Sequence, residues 1–363
     1  GGSYNTAVGD QAGVFLEGGD QNTLMGYFAG YSITSASNNV LIGYQAGDGF
    51  DTENENVAMG RHALGGSVAG GEYNVAIGNY SLDALTSGDG NTAVGYQAGT
   101  ALTTGSDNIA LGYNSMYQGA VTGQYNIAIG SSSLRNLTDG PRNVAVGVNA
   151  LEALTTGDRN IAIGMGSNTG YDTENDNIGI GDSALGGSVA GGEYNISIGN
   201  YTGDSLTSAD YNVILGYHAG SALTTGGSNV FVGAGAAQTG VVTGSSNVGV
   251  GYEALKDLTT GTRTVGVGMR ALQNLTEGTG SIGIGGNAGE LITTGTNNIC
   301  IGDLAGSLFD TETHNIFIGT DSGKGSIAGA EYSIGVGSYT LDALTSGDAN
   351  VTMGYQAGTA INT

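Results

Sequence analysis

The chain has no Trp, one Pro (Pro141) and one Cys (Cys300) among its 363 residues. A single Cys excludes an intrachain disulfide and leaves the redox compartment open. Scarce Pro beside 71 Gly, with no Gly at every third place, excludes collagen. Basic residues are few: 8 Lys and Arg stand against 32 Asp and Glu, a formal charge of −24. Phosphate recognition needs the opposite balance, so nucleic acid is a poor partner and anionic membranes are disfavoured. Net acidity does keep long particles soluble and apart. No apolar run approaches the ~20 residues that span a bilayer as a helix, so no membrane insertion is expected. The opening GGSYNTAVGD shows neither the basic nor the apolar region of a signal peptide. Charged residues make up only 11%, yet Val, Ile and Ala are too plentiful for a disordered chain. What remains is a regular, turn-rich β architecture.

That architecture is a repeat. The motif Asn-[Val/Ile/Thr]-x-[Val/Ile/Leu/Met]-Gly begins at Asn5, Asn22, Asn39 and Asn56, and recurs to Asn350, with Thr264, Ser281 and Ser333 standing in for Asn three times. Its 21 starts are separated by fifteen intervals of 17 residues and five of 18. No room is left for a linker, so residues 1–363 read as one continuous repeat domain. The period is too short for helical repeats. Alternating β-branched residues closed by Gly read as a short strand. The predicted fold is therefore all-β, a β-solenoid of 21 coils, in which each coil covers the apolar face of the next. At ~3.3 Å per residue a coil of this length has room for about three short faces.

Numbering each coil from its Asn, position five is Gly throughout, as expected where φ is positive or another backbone lies close. Position eight is small, as in Ala12, Ala98 and Ser115. Position twelve is large and apolar in most coils, as in Leu85, Leu102 and Leu154, and a Thr usually follows it. The Asn column is expected to stack and satisfy turn backbone. Three 18-residue coils carry a Val-Ala or Ile-Ala corner instead (65–74, 186–195 and 324–333). Each follows a coil with an aromatic-Asp-Thr-Glu corner, at 50–53, 171–174 and 309–312. A block of coils has evidently been duplicated.

Strand residues two apart share a face. Positions two and four, mostly Val and Ile, are expected to face the core, which points position three outward. That third column runs Ala7, Leu24, Leu41, Ala58, Ala76 and on to Ile214, Phe231, Cys300 and Phe317, with no charge anywhere. An outward apolar stripe invites a cover. The simplest cover is another copy of the chain in a parallel bundle. The alternative is a monomer with a mildly apolar face of Ala and Gly.

The runs NVAIG (74–78), NIAIG (126–130 and 160–164) and NVAVG (143–147) resemble the head repeats of YadA-like trimeric autotransporter adhesins. NTAVGYQAGTALTTG (91–105) is similar to shaft repeats of phage tail fibres. The resemblance covers nearly the whole chain through a low-complexity motif. It implies a left-handed β-roll in a parallel homotrimer, on a virion or cell surface, that displays or performs attachment to a host-surface glycan or protein. The coils here are longer than the usual head repeat, and no stalk, membrane anchor or chaperone domain is visible. Both ends fall within a coil and carry no polar cap, so a segment of a longer fibre, or end-to-end stacking into a filament, is expected.

Reactive chemistry is sparse, and no catalytic, cofactor-binding or metal residue is assigned. His62, His218 and His314 read as surface residues. Cys300, in the third column, reads as packing. Glycoside cleavage needs paired carboxylates in a cleft, and even coils leave no insertions to build one. The Asp-Thr-Glu corners could lend oxygens to calcium: Asp51, Glu53 and Glu55; Asp172, Glu174 and Asp176; Asp310 and Glu312. The competing reading is a solvated acidic corner. Arg142, Arg159 and Asp176 share a column and read as surface pairing. Tyr27, Tyr44, Tyr96, Tyr113, Tyr217, Tyr252 and Tyr355 form one column after the Gly, able to stack with each other or to grip sugars. An ice-binding solenoid would need a regular Thr array, and Thr103, Thr155, Thr224 and Thr259 recur with interruptions. The expected function is a non-enzymatic fibre shaft, with a bacterial adhesin as the alternative.

Overall fold

A computed structural model describes residues 2–66, 70–187, 191–325 and 329–361. The Val-Ala and Ile-Ala corners at 68–69, 189–190 and 327–328 lie outside the described residues. The chain groups into two compact units, Gly1–Gly179 and Ile180–Thr363. The first contains β1 (Thr6–Val8) to β10 (Ile161–Ile163) and the second β12 (Ile196–Ile198) to β21 (Val351–Met353), while β11 (Ile178–Ile180) spans the division. Each unit is a parallel β-solenoid. Every strand is three residues long, and each is motif positions two to four.

Strands pair in register with the same positions of the next coil, as in Thr92↔Ile109, Ala93↔Ala110 and Val94↔Leu111. An 18-residue coil keeps this register, for Val57 still faces Val75. The extra residue is therefore absorbed at a corner. The fifth-position Gly ends each strand: Gly95 has φ +137°, and a Cβ there would lie 2.7 Å from the carbonyl oxygen of Gly112. Both reasons expected for this Gly hold at once.

The corners turn on left-handed residues that are mostly not Gly. The residue before each Asn and positions seven and nine take positive φ, as at Glu55, His62 and Leu64. None of the non-glycine residues with positive φ is Val, Ile or Thr, since β-branching clashes in that region. Their N–H groups bond to adjacent coils, as from His62 to Tyr44 O (3.0 Å) and from Leu64 to Ser81 O (2.9 Å). Those bonds offset the backbone cost of ~1 kcal/mol or more per residue.

The Asn column is buried from Asn22 to Ser333. The Asn39 N–H donates to Oδ1 of Asn22 (3.0 Å), and Nδ2 of Asn39 donates to the Glu53 carbonyl (2.8 Å). Thr264 and Ser281 keep the ladder going: Thr264 N–H donates to Asn247 Oδ1 (3.0 Å), and Ser281 Oγ accepts from Asn298 N–H (3.2 Å).

The expected strand orientation is reversed. Position three points inward: Leu24, Ala93, Ile214, Phe231, Cys300 and Phe317 are fully buried. Positions two and four point outward. The reason is steric exchange across the coil with position nine. Where position three is large, position nine is small, as in Leu41 with Gly47, Ile214 with Gly220 and Phe317 with Gly323. Where position three is Ala or Gly, position nine is large in most coils, as in Ala76 with Leu82 and Gly266 with Leu272. A Cβ on Gly47 would lie 2.7 Å from Leu41 Cδ1 of its own coil, and one on Gly283 would lie 2.7 Å from Leu272 Cγ, position nine of the preceding coil. The exchange keeps the core filled at near-constant volume. Position twelve completes it with buried Leu85, Leu102 and Leu154, replaced by Phe50, Tyr171 and Phe309 in the Asp-Thr-Glu coils.

Candidate functional site

Because position three is interior, the outward face of every strand consists of positions two and four. Of those 42 side chains only Thr6, Thr23 and Thr92 are not Val, Ile, Leu or Met, and none is charged. They are half-buried to exposed: Ile77 is 38% exposed and Ile163 39% in the first unit, and Ile284 39% in the second. Ten strands at ~4.8 Å spacing and ~10 Å width give an outward sheet face of roughly 480 Å² per unit. That matches the largest apolar patches of ordinary monomers, which are often functional. Aromatic rows border it and extend it.

One border follows the strand-ending Gly. In the first unit nine rings touch in sequence: Phe15, Tyr31, Phe28, Tyr27, Tyr44, His62, Tyr80, Tyr96 and Tyr113. Tyr27 stacks on Tyr44 at 5.3 Å, and Tyr96 on Tyr113 at 5.7 Å. The Arg61 guanidinium lies 5.7 Å and 5.6 Å from the Tyr44 and Tyr80 rings. The other border precedes the Asn. There Tyr194 stacks on Tyr211 at 5.0 Å, and His314 on Tyr332 at 5.1 Å.

His314 is exposed, as expected, but His62 and His218 are half-buried in the aromatic border. Burial raises the Asp48 and Asp83 carboxyls above the usual range, and the His62 imidazole pulls them partly back. Asp204 is raised by burial too, opposed by its backbone hydrogen bond and by His218. Cys300 is buried in the core, and burial pushes its thiol up to about 12, which removes it as a nucleophile near neutrality.

The Asp-Thr-Glu corners are not uniformly solvated. Asp51 and Thr52 are exposed, but Glu53, Glu174 and Glu312 are buried. Oε2 of Glu53 accepts from the N–H groups of Asp51 (2.7 Å) and Thr52 (2.9 Å), and Oε1 accepts from Gly70 N–H in the next coil (2.9 Å). Glu312 does the same with Asp310, Thr311 and Gly329. The carboxylate thus serves as a peptide acceptor where the following 18-residue coil departs from the repeat. Positive N–H dipoles converge on it, the reverse of what a cation needs. Among the described residues no group of three His, Cys, Asp or Glu is placed to hold a metal ion.

Asp176 pairs with Arg159 through two contacts of 2.6 Å and 2.8 Å, and those hydrogen bonds hold its carboxyl below the usual range. Thr103, Thr155, Thr224 and Thr259 each donate their hydroxyl to a carbonyl of the next coil, at 3.1–3.2 Å. They close the corner ladder.

The outward face was missed in the sequence because alternation alone cannot tell inside from outside when both sides are apolar. The usable signal was the exchange of size between positions three and nine, which only an interior column requires. No known family model matches the chain, and no curated protein is similar to it at a significant level, so the face is to be understood from its own geometry.

Proposed function

We propose that the protein is a non-enzymatic structural fibre segment, the shaft of a trimeric phage tail fibre that carries or displays host-attachment surfaces on the outside of a virion. The observation that supports this reading is the uncharged Val and Ile face in both units, with no cover among the described residues of its own unit. A face this regular suits a partner with the same repeat, and a second copy of the chain has it. Parallel copies around a common axis would bury positions two and four, leaving the acidic corners in water. A bacterial surface adhesin of the trimeric autotransporter type shares this assembly and is supported by the NVAIG and NIAIG runs. The ice-binding reading is weaker, because the corner hydroxyls are spent on carbonyls and Asp51, Asp172 and Asp310 interrupt the Thr column.

The test places one thiol on the outward face, Ile163→Cys in a Cys300→Ala background. Mild oxidation is expected to give covalently linked copies, because a parallel assembly brings the same position of each chain together. A chain that stays at 36.0 kDa on a non-reducing gel would contradict the reading.

A further inference from the structure

In the second unit two tyrosines of the column after the strand-ending Gly stand two coils apart, with no ring in that column in the coil between them. Position six holds Tyr217 in one coil and Tyr252 two coils on, and between them the coil starting at Asn229 has Ala234 and Gly235 at positions six and seven. It is the only coil with Ala or Gly at both places, and it has a Tyr on either side. The omission leaves a cavity of about 190 Å³ walled by Tyr217 and Tyr252. Two coil steps at the ~4.8 Å strand spacing separate those positions by ~9.6 Å, room for a single ring layer between two aromatic faces.

Neighbouring side chains pack around one wall and brace the residue next to the other. Tyr217 makes edge contacts with His218 at 4.3 Å and Tyr201 at 6.3 Å. Next to Tyr252, Glu253 is fixed by Lys256 Nζ (3.1 Å), Arg270 Nε (3.0 Å) and Gln273 Nε2 (3.2 Å). The edge of the slot is polar, formed by the His218 imidazole, the Gln238 amide and Glu253. Apolar faces with a polar rim match a sugar ring, whose C–H faces stack on aromatics while its hydroxyls point sideways. A flat hydrocarbon ring would leave that rim unsatisfied. The chain's charge of −24, with Asp204 and Glu253 close by, disfavours anionic sugars.

We propose that the slot at Ala234 and Gly235 binds one neutral pyranose ring, sandwiched between Tyr217 and Tyr252. This gives the attachment role a ligand class and rests on that reading for its biological use. A trimer with an empty slot would leave the fibre reading intact, and binding by a monomer would leave the slot intact.

The full chain is titrated with the methyl glycosides of glucose, galactose, mannose and N-acetylglucosamine, followed by saturation-transfer NMR and tyrosine fluorescence. At least one is expected to bind with a Kd on the order of 1 mM. Ala234→Tyr, which supplies the missing ring, is expected to abolish binding while preserving the melting temperature. Tyr252→Ala removes a wall and is expected to weaken binding about tenfold, and Tyr27→Ala, in the other unit, to leave it unchanged. Absence of transfer to every glycoside would overturn the proposal, as would unchanged binding in Ala234→Tyr or in Tyr252→Ala. Binding of N-acetyltryptophanamide without any glycoside would overturn the sugar assignment.

Discussion

The two sides of each three-residue strand are both apolar, yet they vary differently along the chain. The inner column ranges from Gly249 to Phe231, and position nine compensates for its size. The outer columns stay with Val, Ile, Leu, Met and the odd Thr, and nothing compensates for them. A core tolerates variation if its volume is conserved. A face that must match a repeating partner tolerates little. Compensated variation marks the inside, and uniformity marks the outward face, as the proposed contact with a second copy would require.

The sharpest way to break the comparison is to place a charge on either side of one strand. Ala145→Asp buries an unpaired carboxylate and is expected to cost about 3–5 kcal/mol, read as loss of cooperative thermal unfolding. Val146→Asp, one residue on, is expected to leave the strand signal in circular dichroism intact and to separate the copies. Equal loss of structure in both would contradict the assignment of sides. Next in size is the volume exchange. Leu41→Ala alone should cost about 2–5 kcal/mol, and adding Gly47→Leu should recover more than half of it. A double variant no better than the single would show that positions three and nine do not share one space.

Glu53→Gln keeps the shape of the acidic corner but gives up a charged acceptor of three N–H groups. A loss of about 1.5–3 kcal/mol is expected, and an unchanged melting temperature would refute the role of the carboxylate as acceptor. The smallest effect concerns pH. Burial raises Asp48 in the folded state, so its contribution is fully present below the unfolded carboxyl pKa and is lost as pH rises through the higher folded value. Asp48→Asn should therefore raise the melting temperature at pH 7 by about 1–2 °C. The gain should vanish in acid. A gain that persists there would assign the effect to something other than ionisation.

Much of this molecule was legible in the chain itself. The period, the in-register strands, the obligatory Gly and the Asn ladder each follow from one column read at a time. The strand orientation did not, because it depends on two columns read together, and Ala93 or Ala110 by itself suits either side. The aromatic border was half legible: the Tyr column showed, but the part played by Phe28, His62 and Tyr80 depends on position seven turning left-handed beside position six. The buried state of Glu53 could not be read locally, since its partner Gly70 belongs to the next, irregular coil.

The central claim is that the outward Val and Ile face is covered by further copies of the same chain. Sedimentation velocity on the full chain tests it most directly. Three copies of 36.0 kDa should give one species of about 108 kDa, and Val146→Asp should reduce it to the single chain. A wild-type protein that sediments as a stable 36.0 kDa monomer at micromolar concentration would contradict the account.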